Sequence, residues 1–363
     1  MISITGTNGK TTTARMVAHI YKLSGNTVGL ATTDGVYIDG NLTVKGDLTG
    51  PQAAHMVLRD PTVDAAVLET ARGGLLRRGL GYEHCDCGAV LNISADHLGL
   101  RGVATLEDMA IVKQIVVEVA KDTAVLNADD DLCLKMAAHT KAKNLCYVTM
   151  NASHPLVREH VRSGGRAVVL EQGMNGHMVT IYDNSAHIPL IWTHLIPATL
   201  DGKAMHNVQN ALFAAAICFS MGKSLEDIRH GLRTFAGSYF QAPGRMNVFD
   251  EHPFKVILDY GHNPAAIDAM CKLVDQLEPA GKRVCVVTLP GDRRDEDIVE
   301  AARILTGHFD HYICRRDDGL RGRTSDEVPK IMQAALIANG VAPDAISVIP
   351  EEVEAVDAAL KMG

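Results

Sequence analysis

Residues 5–12 are Thr5-Gly6-Thr7-Asn8-Gly9-Lys10-Thr11-Thr12. They follow a short apolar strand and precede an amphipathic helix predicted from Thr11 to about Leu23. A glycine-rich loop between a strand and a helix presents backbone N–H groups to phosphate, and the helix dipole adds to the attraction. Lys10 can reach the outer phosphates and Thr11 can ligate Mg²⁺. Only two residues separate Gly6 from Gly9-Lys10, where the common phosphate loop has four. The nucleotide-binding residues predicted here are Gly6, Thr7, Asn8, Gly9, Lys10, Thr11 and Thr12.

Strands and helices alternate after this loop. Apolar strands are predicted at 28–32, 65–70, 87–92 and 124–127, with helical stretches between them. This alternation predicts an α/β fold, a doubly wound and mostly parallel sheet. Short alternating runs with turn residues predict a small antiparallel insertion at about 144–205. We expect a larger domain at 1–235 and a smaller Rossmann-like α/β domain at 236–363, whose cut-looking end suggests truncation.

The composition excludes several classes of protein. Of 363 residues, 47% are apolar and 21% charged, which is typical of a globular protein. A formal charge of −8 and 4% aromatic residues disfavour a nucleic-acid or anionic-membrane partner. No apolar run reaches the roughly 18 residues that span a bilayer. We expect no signal peptide, a cytoplasmic protein and eight reduced cysteines. Both ends look cut, which suggests part of a longer chain.

The sequence Thr5–Thr13, written TGTNGKTTT, resembles the short phosphate loop of the Mur ligase superfamily. These enzymes use ATP to activate a carboxylate as an acyl phosphate and then form an amide with an amine. The resemblance therefore implies an ATP-dependent carbon–nitrogen ligase with ATP and Mg²⁺ as cofactors.

Other motifs of the larger domain extend the resemblance. It implies that Glu69, at a predicted strand end, binds Mg²⁺, and that His97 of Asp96-His97 binds a second ion. It implies that Lys113 is carbamylated and helps to hold a metal, and that Asn210 meets the adenine. The residue types alone leave other roles open: Glu69 as a turn cap, and Lys113 as a solvated lysine or a counter-charge to phosphate.

The smaller domain carries further matches. Pro243-Gly244-Arg245 implies an arginine that reaches nucleotide phosphate, a role that suits a bidentate guanidinium. Asp259-Tyr260-Gly261-His262-Asn263-Pro264 implies that Asp259 takes the ribose hydroxyls and that His262 lies near the nucleotide. The implied catalytic residues are Lys10, Glu69, His97, Lys113 and Arg245.

Within the superfamily, three stretches resemble the Mur-like C-terminal half of the cyanophycin synthetases. They are residues 32–51, 69–81 and 96–100, of which Glu69-Thr70-Ala71-Arg72-Gly73-Gly74 is the most specific. The resemblance implies addition of arginine to the β-carboxylate of aspartate in a peptide polymer. The partners it implies are arginine, that polymer and a missing ATP-grasp half, and we expect a homo-oligomer. We add the hypothesis that Arg72, Arg77 and Arg78 hold the polymer's carboxylates.

Two other functions stay open. The chain could join another amino acid to another carboxylate, or it could be a non-catalytic nucleotide-binding fragment of a larger synthetase. A zinc site at His84, Cys85 and Cys87 is disfavoured, because the two cysteines lack the usual spacing and no second pair follows.

Overall fold

The chain folds into two units. The structure is a computed structural model that describes residues 1–96, 98–99 and 102–363. Of these residues, 1–94, 98–99 and 102–247 form the first unit, and 95–96 and 248–363 form the second. Each unit is an α/β assembly, as the alternation of strands and helices predicts.

The described residues of the first unit form eleven strands and eight α-helices. The strands are β1 (Ile2–Thr5), β2 (Val28–Thr32), β3 (Gly35–Ile38), β4 (Asn41–Lys45), β5 (Ala65–Glu69), β6 (Cys85–Val90), β7 (Ala120–Asn127), β8 (Asn144–Thr149), β9 (Arg166–Gly173), β10 (Gly176–Asp183) and β11 (Ala186–Trp192). The helices are α1 (Lys10–Leu23), α2 (Pro51–Arg59), α3 (Arg72–Arg78), α4 (Leu106–Glu118), α5 (Asp131–Lys135), α6 (Pro155–Arg162), α7 (Met205–Ser220) and α8 (Leu225–Thr234).

All eleven strands belong to one sheet. Its order is β11-β10-β9-β8-β7-β6-β1-β5-β2-β3-β4, and the strands from β9 to β2 run parallel. The predicted mostly parallel, doubly wound sheet is confirmed. The strand that leads into the phosphate loop lies between β5 and β6, so the carboxyl ends of both neighbours adjoin that loop. Ligands bind at this edge of open α/β sheets.

Helices cover both faces of the sheet. On one face α1, α7 and α8 pack over a core that includes Ile4, Met16 and Phe213, all fully buried. On the other face α4 and α5 cover a second core around Met109 and Leu126. A parallel strand buried on both faces needs apolar residues throughout, which explains the continuous apolar runs of these strands.

Antiparallel strands lie at both ends of the sheet. The antiparallel strands predicted within 144–205 are β9–β11, and they continue the main sheet through β8 rather than forming a separate one. At the other end β3 and β4 form a hairpin that the sequence analysis did not predict. Its turn is Asp39-Gly40, with φ of 48° and 83°.

The strands after residue 246 are three or four residues long. The strands are β12 (Asn247–Phe249), β13 (Val256–Leu258), β14 (Val284–Val287), β15 (His311–Cys314) and β16 (Ile346–Val348). The helices are α9 (Pro264–Leu277), α10 (Asp295–Leu305), α11 (Glu327–Ala338) and α12 (Glu352–Leu360). β14, β15 and β16 form a parallel sheet, which confirms the predicted smaller α/β unit.

All eight cysteines are free thiols, and seven of them are buried. Burial raises the pKa of Cys146 to about 12, so its thiol stays protonated at neutral pH. Cys85 and Cys87 of the disfavoured zinc site are both buried in strand β6. None of the described helices has the length and apolarity that a bilayer crossing requires.

Candidate active site

The phosphate loop connects β1 to α1 through residues 6–9. Gly9 precedes the helix with a φ of 84°, a conformation that glycine adopts without strain. A Cβ at this position would lie 2.3 Å from the Asn210 Oδ1, so the loop also needs glycine for space. No side chain of the preceding residue caps α1. The first backbone N–H groups of the helix can therefore bind an anion.

Asn92, just beyond the end of β6, fixes the shape of this loop. Its Oδ1 accepts hydrogen bonds from the backbone N–H of Thr7 at 3.1 Å and of Asn8 at 2.8 Å. Its Nδ2 donates to the Asn8 carbonyl at 3.1 Å. One amide thus supplies both the acceptor and the donor that the loop backbone requires. This role of Asn92 was not predicted from the sequence.

We expect replacement of Asn92 with Ala to weaken binding of ATP by about 10²-fold. The reason is that the nucleotide itself must then order the loop, after three hydrogen bonds of about 1 kcal/mol each are lost. Equilibrium binding of ATP measures the effect. Asn144, an exposed asparagine whose Nδ2 donates to the Asp122 carbonyl, provides the control variant Asn144→Ala. Equal affinities for ATP in the two variants would contradict this role.

The carboxylate of Glu69 meets the first turn of α1. Glu69 is the last residue of β5 and is only 3% exposed. The Thr11 hydroxyl donates to Glu69 Oε2 at 2.9 Å. Thr33, in the turn after β2, donates from its backbone N–H to Oε2 at 3.2 Å and from its hydroxyl to Oε1 at 3.0 Å. The structure thus brings together Thr11 and Glu69, two of the four residues predicted to bind metal, and adds Thr33, which was not predicted.

Two lysines donate hydrogen bonds to carbonyl groups of the loop. Lys10 donates to the Thr7 carbonyl at 2.8 Å and stands at the start of α1. Lys113, on α4, is 3% exposed and donates to the Gly6 carbonyl at 2.7 Å. A buried ammonium is stable only when its N–H groups have hydrogen-bond acceptors, and the Gly6 carbonyl is one such acceptor. Lys113 therefore lies at the predicted site, and its carbamylation stays a prediction.

The donor set fits a hard divalent cation. Thr11 and Glu69 offer only oxygen atoms, which Mg²⁺ prefers, and phosphate oxygens and water would complete its coordination. His97, the predicted ligand of a second ion, lies outside the described residues. Thr12, the last residue of the predicted phosphate loop, is buried in the first turn of α1.

Asn210 lies under the phosphate loop. It is buried on α7, accepts a hydrogen bond from the Thr13 hydroxyl at 3.3 Å and donates to Asn207 Oδ1 at 3.0 Å. Asn207 in turn donates to the Ala198 carbonyl at 2.8 Å. These contacts position α7 against the start of α1. The predicted contact of Asn210 with adenine stays a prediction.

The three arginines proposed for the acceptor lie on α3. Arg72 is the first residue of the helix and is buried, while Arg77 and Arg78 are exposed in its last turn. Arg77 donates to the Gly73 carbonyl of its own helix at 2.8 Å. At Gly74 a Cβ would lie 2.9 Å from Gly50 Cα, so glycine allows α3 to approach the chain before α2. A small cavity nearby is bordered by Glu69, Gly50 and Leu80.

A buried asparagine organises the turn that carries Arg245. Asn247 is 1% exposed, accepts from the Gly244 N–H at 2.7 Å and donates to the carbonyls of Gly237 and Ala242 at 2.9 Å. The backbone next to Arg245 is therefore held by contacts within its own turn. This local role of Asn247 was not predicted from the sequence.

The second unit carries the remaining predicted residues. Asp259 and His262 lie between β13 and α9, and Asn263 caps α9 by accepting from the Ala266 N–H at 3.0 Å. His262 Nδ1 lies 2.9 Å from the Tyr260 carbonyl oxygen. These contacts give the segment a defined local conformation. The roles of Asp259 and His262 toward nucleotide stay predictions.

Family models match nearly the whole length of this architecture. The model described as Mur ligase middle domain matches residues 4–218, which include the phosphate loop, Glu69, Lys113 and Asn210. The chain belongs to the Mur ligase family. A second model, described as Mur ligase, glutamate ligase domain, matches residues 244–363. The resemblance stated from the sequence motifs is confirmed.

Among the relatives of this Mur ligase family member, cyanophycin synthetase from Trichormus variabilis is 46% identical over 374 residues, covering all of this chain and 40% of that protein. The UDP-N-acetylmuramoyl-L-alanyl-D-glutamate–2,6-diaminopimelate ligase of Chlamydia trachomatis is 28% identical over 81% of this chain and 58% of its own length. The chain thus spans about 40% of the length of the cyanophycin synthetases that it matches.

Solved structures of Mur ligases and their relatives share the fold. The bifunctional folylpolyglutamate synthase/dihydrofolate synthase of Yersinia pestis, complexed with AMPPNP and Mn ion, matches with a TM-score of 0.71 at 22% identity. That match covers all of this chain and 83% of the other. MurF from Acinetobacter baumannii matches with a TM-score of 0.65 at 20% identity, over 99% of this chain and 69% of MurF.

Proposed function

We propose that this chain is the Mur-type part of an ATP-dependent ligase that adds arginine to the β-carboxylate of an aspartate in a peptide polymer. The observation that carries the chemistry is the meeting of Thr11 and Glu69 beside Lys10, at the start of α1. The similarity to cyanophycin synthetases over the whole chain supports the choice of substrate. ATP and Mg²⁺ are part of the proposal.

The reaction would have two steps. An oxygen of the acceptor carboxylate attacks the γ-phosphorus of ATP, the bond to the bridging oxygen of ADP breaks, and an acyl phosphate forms. The α-amino nitrogen of arginine then attacks the acyl carbon, phosphate leaves, and the nitrogen loses a proton. The product is an isopeptide bond with ADP and phosphate.

The protein's contribution to phosphoryl transfer is positioning and charge. The N–H groups of the loop and the start of α1 would hold the phosphates, and the Lys10 ammonium would stabilise negative charge on the γ-phosphate. Thr11 and Glu69 would hold Mg²⁺, which when bound neutralises phosphate charge. Lys113 supports the loop from beneath through Gly6. We propose phosphate and ribose contacts for Arg245 and Asp259.

The acceptor would bind near α3. Arg72 begins this helix three residues after Glu69, and its guanidinium suits a carboxylate of the polymer. Arg77 and Arg78 offer exposed positive charge at the other end of the helix.

We expect replacement of Arg72 with Ala to raise KM for the acceptor by about tenfold while KM for ATP changes less than twofold, because one charged hydrogen-bonding partner of the polymer is lost. Steady-state kinetics with each substrate varied measures the split. Arg59→Ala, which removes an exposed arginine at the end of α2, is the control. An unchanged KM for the acceptor would contradict the assignment of Arg72.

The partners of the proposed enzyme follow from its relatives. Because the chain covers about 40% of the cyanophycin synthetases, we propose that it acts together with the remainder of such a synthetase. That remainder would supply aspartate-terminated polymer. The eight free thiols suit the reducing cytoplasm that we propose for it.

Release of phosphate tests the proposal. The chain is incubated with Mg²⁺, ATP, a short β-Asp-Arg peptide ending in aspartate and arginine, and each component is omitted in turn. We expect ADP and phosphate only in the complete mixture, and a peptide heavier by one arginine residue. Turnover with a different amino acid would change the proposed substrate. ATP binding without turnover would favour the non-catalytic nucleotide-binding fragment.

A further inference from the structure

Arg15 is a buried cation on the helix of the phosphate loop. Its side chain is 7% exposed and stands four residues after Thr11, one turn further along α1. Burial of a guanidinium is unfavourable unless charged and polar partners compensate it. Its partners therefore indicate which parts of the molecule it holds together.

The partners of Arg15 come from two other segments of the first unit. Its Nη2 donates to Asp34 Oδ2 at 2.9 Å and to the Tyr37 hydroxyl at 3.0 Å, and its guanidinium carbon lies 4.7 Å from the centre of the Tyr37 ring. Its Nη1 donates to the Gln241 carbonyl at 3.0 Å. Arg15 thus ties the turn between β2 and β3 to α1.

That turn also carries the residue that orients Glu69. Thr33 immediately precedes Asp34 and donates to both carboxylate oxygens of Glu69. Glu69 in turn accepts from Thr11 on α1. The contacts form a closed ring that starts on α1, passes through Arg15, Asp34, Thr33, Glu69 and Thr11, and returns to α1.

We propose that Arg15 is a positioning residue, which sets the orientation of the Glu69 carboxylate for a divalent cation through Asp34 and Thr33. A planar guanidinium can serve Asp34, Tyr37 and Gln241 at once, because its donors point in fixed directions. Lysine keeps the charge but lacks this geometry. The inference rests on the proposed function only in taking Glu69 as a ligand of the cation that accompanies ATP.

Binding of Mn²⁺ in the presence of AMPPNP tests the inference without turnover. Free Mn²⁺ is followed by electron paramagnetic resonance in the wild-type chain and in the variants Arg15→Lys and Asp34→Asn. We expect the Kd for Mn²⁺ to rise about tenfold in both, as is typical when a partner of a metal ligand is lost. Thermal unfolding checks that each variant is folded. Asp34 is partly exposed, so Asp34→Asn carries the test if Arg15→Lys does not fold.

Arg166 offers a matched control. Its Nε lies 2.9 Å from Asp183 Oδ1, and its guanidinium carbon lies 5.1 Å from the centre of the Phe219 ring. Arg166→Lys therefore removes the same kind of ion pair and ring contact from β9, outside the ring of contacts that holds Glu69. We expect it to leave the Kd for Mn²⁺ unchanged, even if it lowers the unfolding temperature.

Combining Arg15→Lys with Glu69→Gln distinguishes an effect that acts through Glu69 from a general loss of Mn²⁺ affinity. In a Glu69→Gln chain we expect Arg15→Lys to cause no further loss of Mn²⁺ affinity. A tenfold loss in that background, or wild-type affinity in both Arg15→Lys and Asp34→Asn, would overturn the inference and leave the proposed function standing. A wild-type chain that binds no Mn²⁺ with AMPPNP would overturn the proposed function, and this inference with it.

Discussion

Replacement of Glu69 with Gln should raise the Mg²⁺ concentration for half-maximal turnover by about 10²-fold, because an amide replaces the only carboxylate that the described site places beside Thr11. The variant keeps the size of the side chain and one of its oxygens. Thr11 and Thr33 can still donate to that oxygen, so we expect a folded protein. Turnover measured against Mg²⁺ at saturating ATP gives the shift.

Glu171 provides the matched control for this prediction. It is a partly buried carboxylate of β9 that accepts from the hydroxyls of Thr180 and Tyr182 and lies near His187. Glu171→Gln therefore changes a similar group away from the phosphate loop and should leave the Mg²⁺ requirement unchanged. If both variants kept the wild-type Mg²⁺ dependence, Glu69 would not be a metal ligand.

Replacement of Lys10 with Met should lower kcat by about 10³-fold, because the ammonium that would stabilise the γ-phosphate in the transition state is lost. We expect a much smaller effect on ATP affinity, since the loop N–H groups remain. Single-turnover measurements of ADP formation separate the chemical step from binding.

Lys223 supplies the control for the loss of an ammonium. It donates to the Ser24 hydroxyl at 2.7 Å and stacks on Tyr21, 4.2 Å from the ring centre. Lys223→Met should affect stability and spare the chemical step. A Lys10→Met chain that forms ADP at the wild-type rate would show that this lysine does not act on the transferred phosphate.

The sequence predicts the parts of the site that lie in local motifs. The phosphate loop is contiguous from Gly6 to Thr12, and Glu69 stands at the end of an apolar strand, where parallel sheets collect ligands. Lys113 was placed only through the family resemblance. It comes from α4, and nothing in its own helix indicates that it reaches the Gly6 carbonyl.

The supporting residues could not be predicted because they depend on the order of the strands. Thr33 contacts Glu69 because β2 lies next to β5, although 36 residues separate the two side chains. Asn92 reaches the loop because β6 lies next to β1. Threonine and asparagine at strand ends are common, and only the tertiary arrangement distinguishes these two.

The β3–β4 hairpin is a different case, because its sequence carries a local indication. Asp39-Gly40 is a favoured pair in two-residue hairpin turns; an apolar run, Val36-Tyr37-Ile38, precedes it, and Leu42 and Val44 alternate with polar residues after it. The pattern was sufficient to predict the hairpin. The hairpin includes Tyr37, one of the partners of Arg15. Its sequence pattern therefore predicts a strand that contributes to the surroundings of the site.

The central claim is that the acceptor carboxylate is activated as an acyl phosphate. Transfer of an oxygen atom from the acceptor to the released phosphate tests this claim most directly. The chain would be supplied with Mg²⁺, ATP, arginine and a β-Asp-Arg peptide whose terminal aspartate carries oxygen-18 in its β-carboxylate. If the carboxylate is activated as an acyl phosphate, one labelled oxygen appears in the released phosphate as the arginine-extended peptide forms. Extended peptide together with unlabelled phosphate would contradict the account.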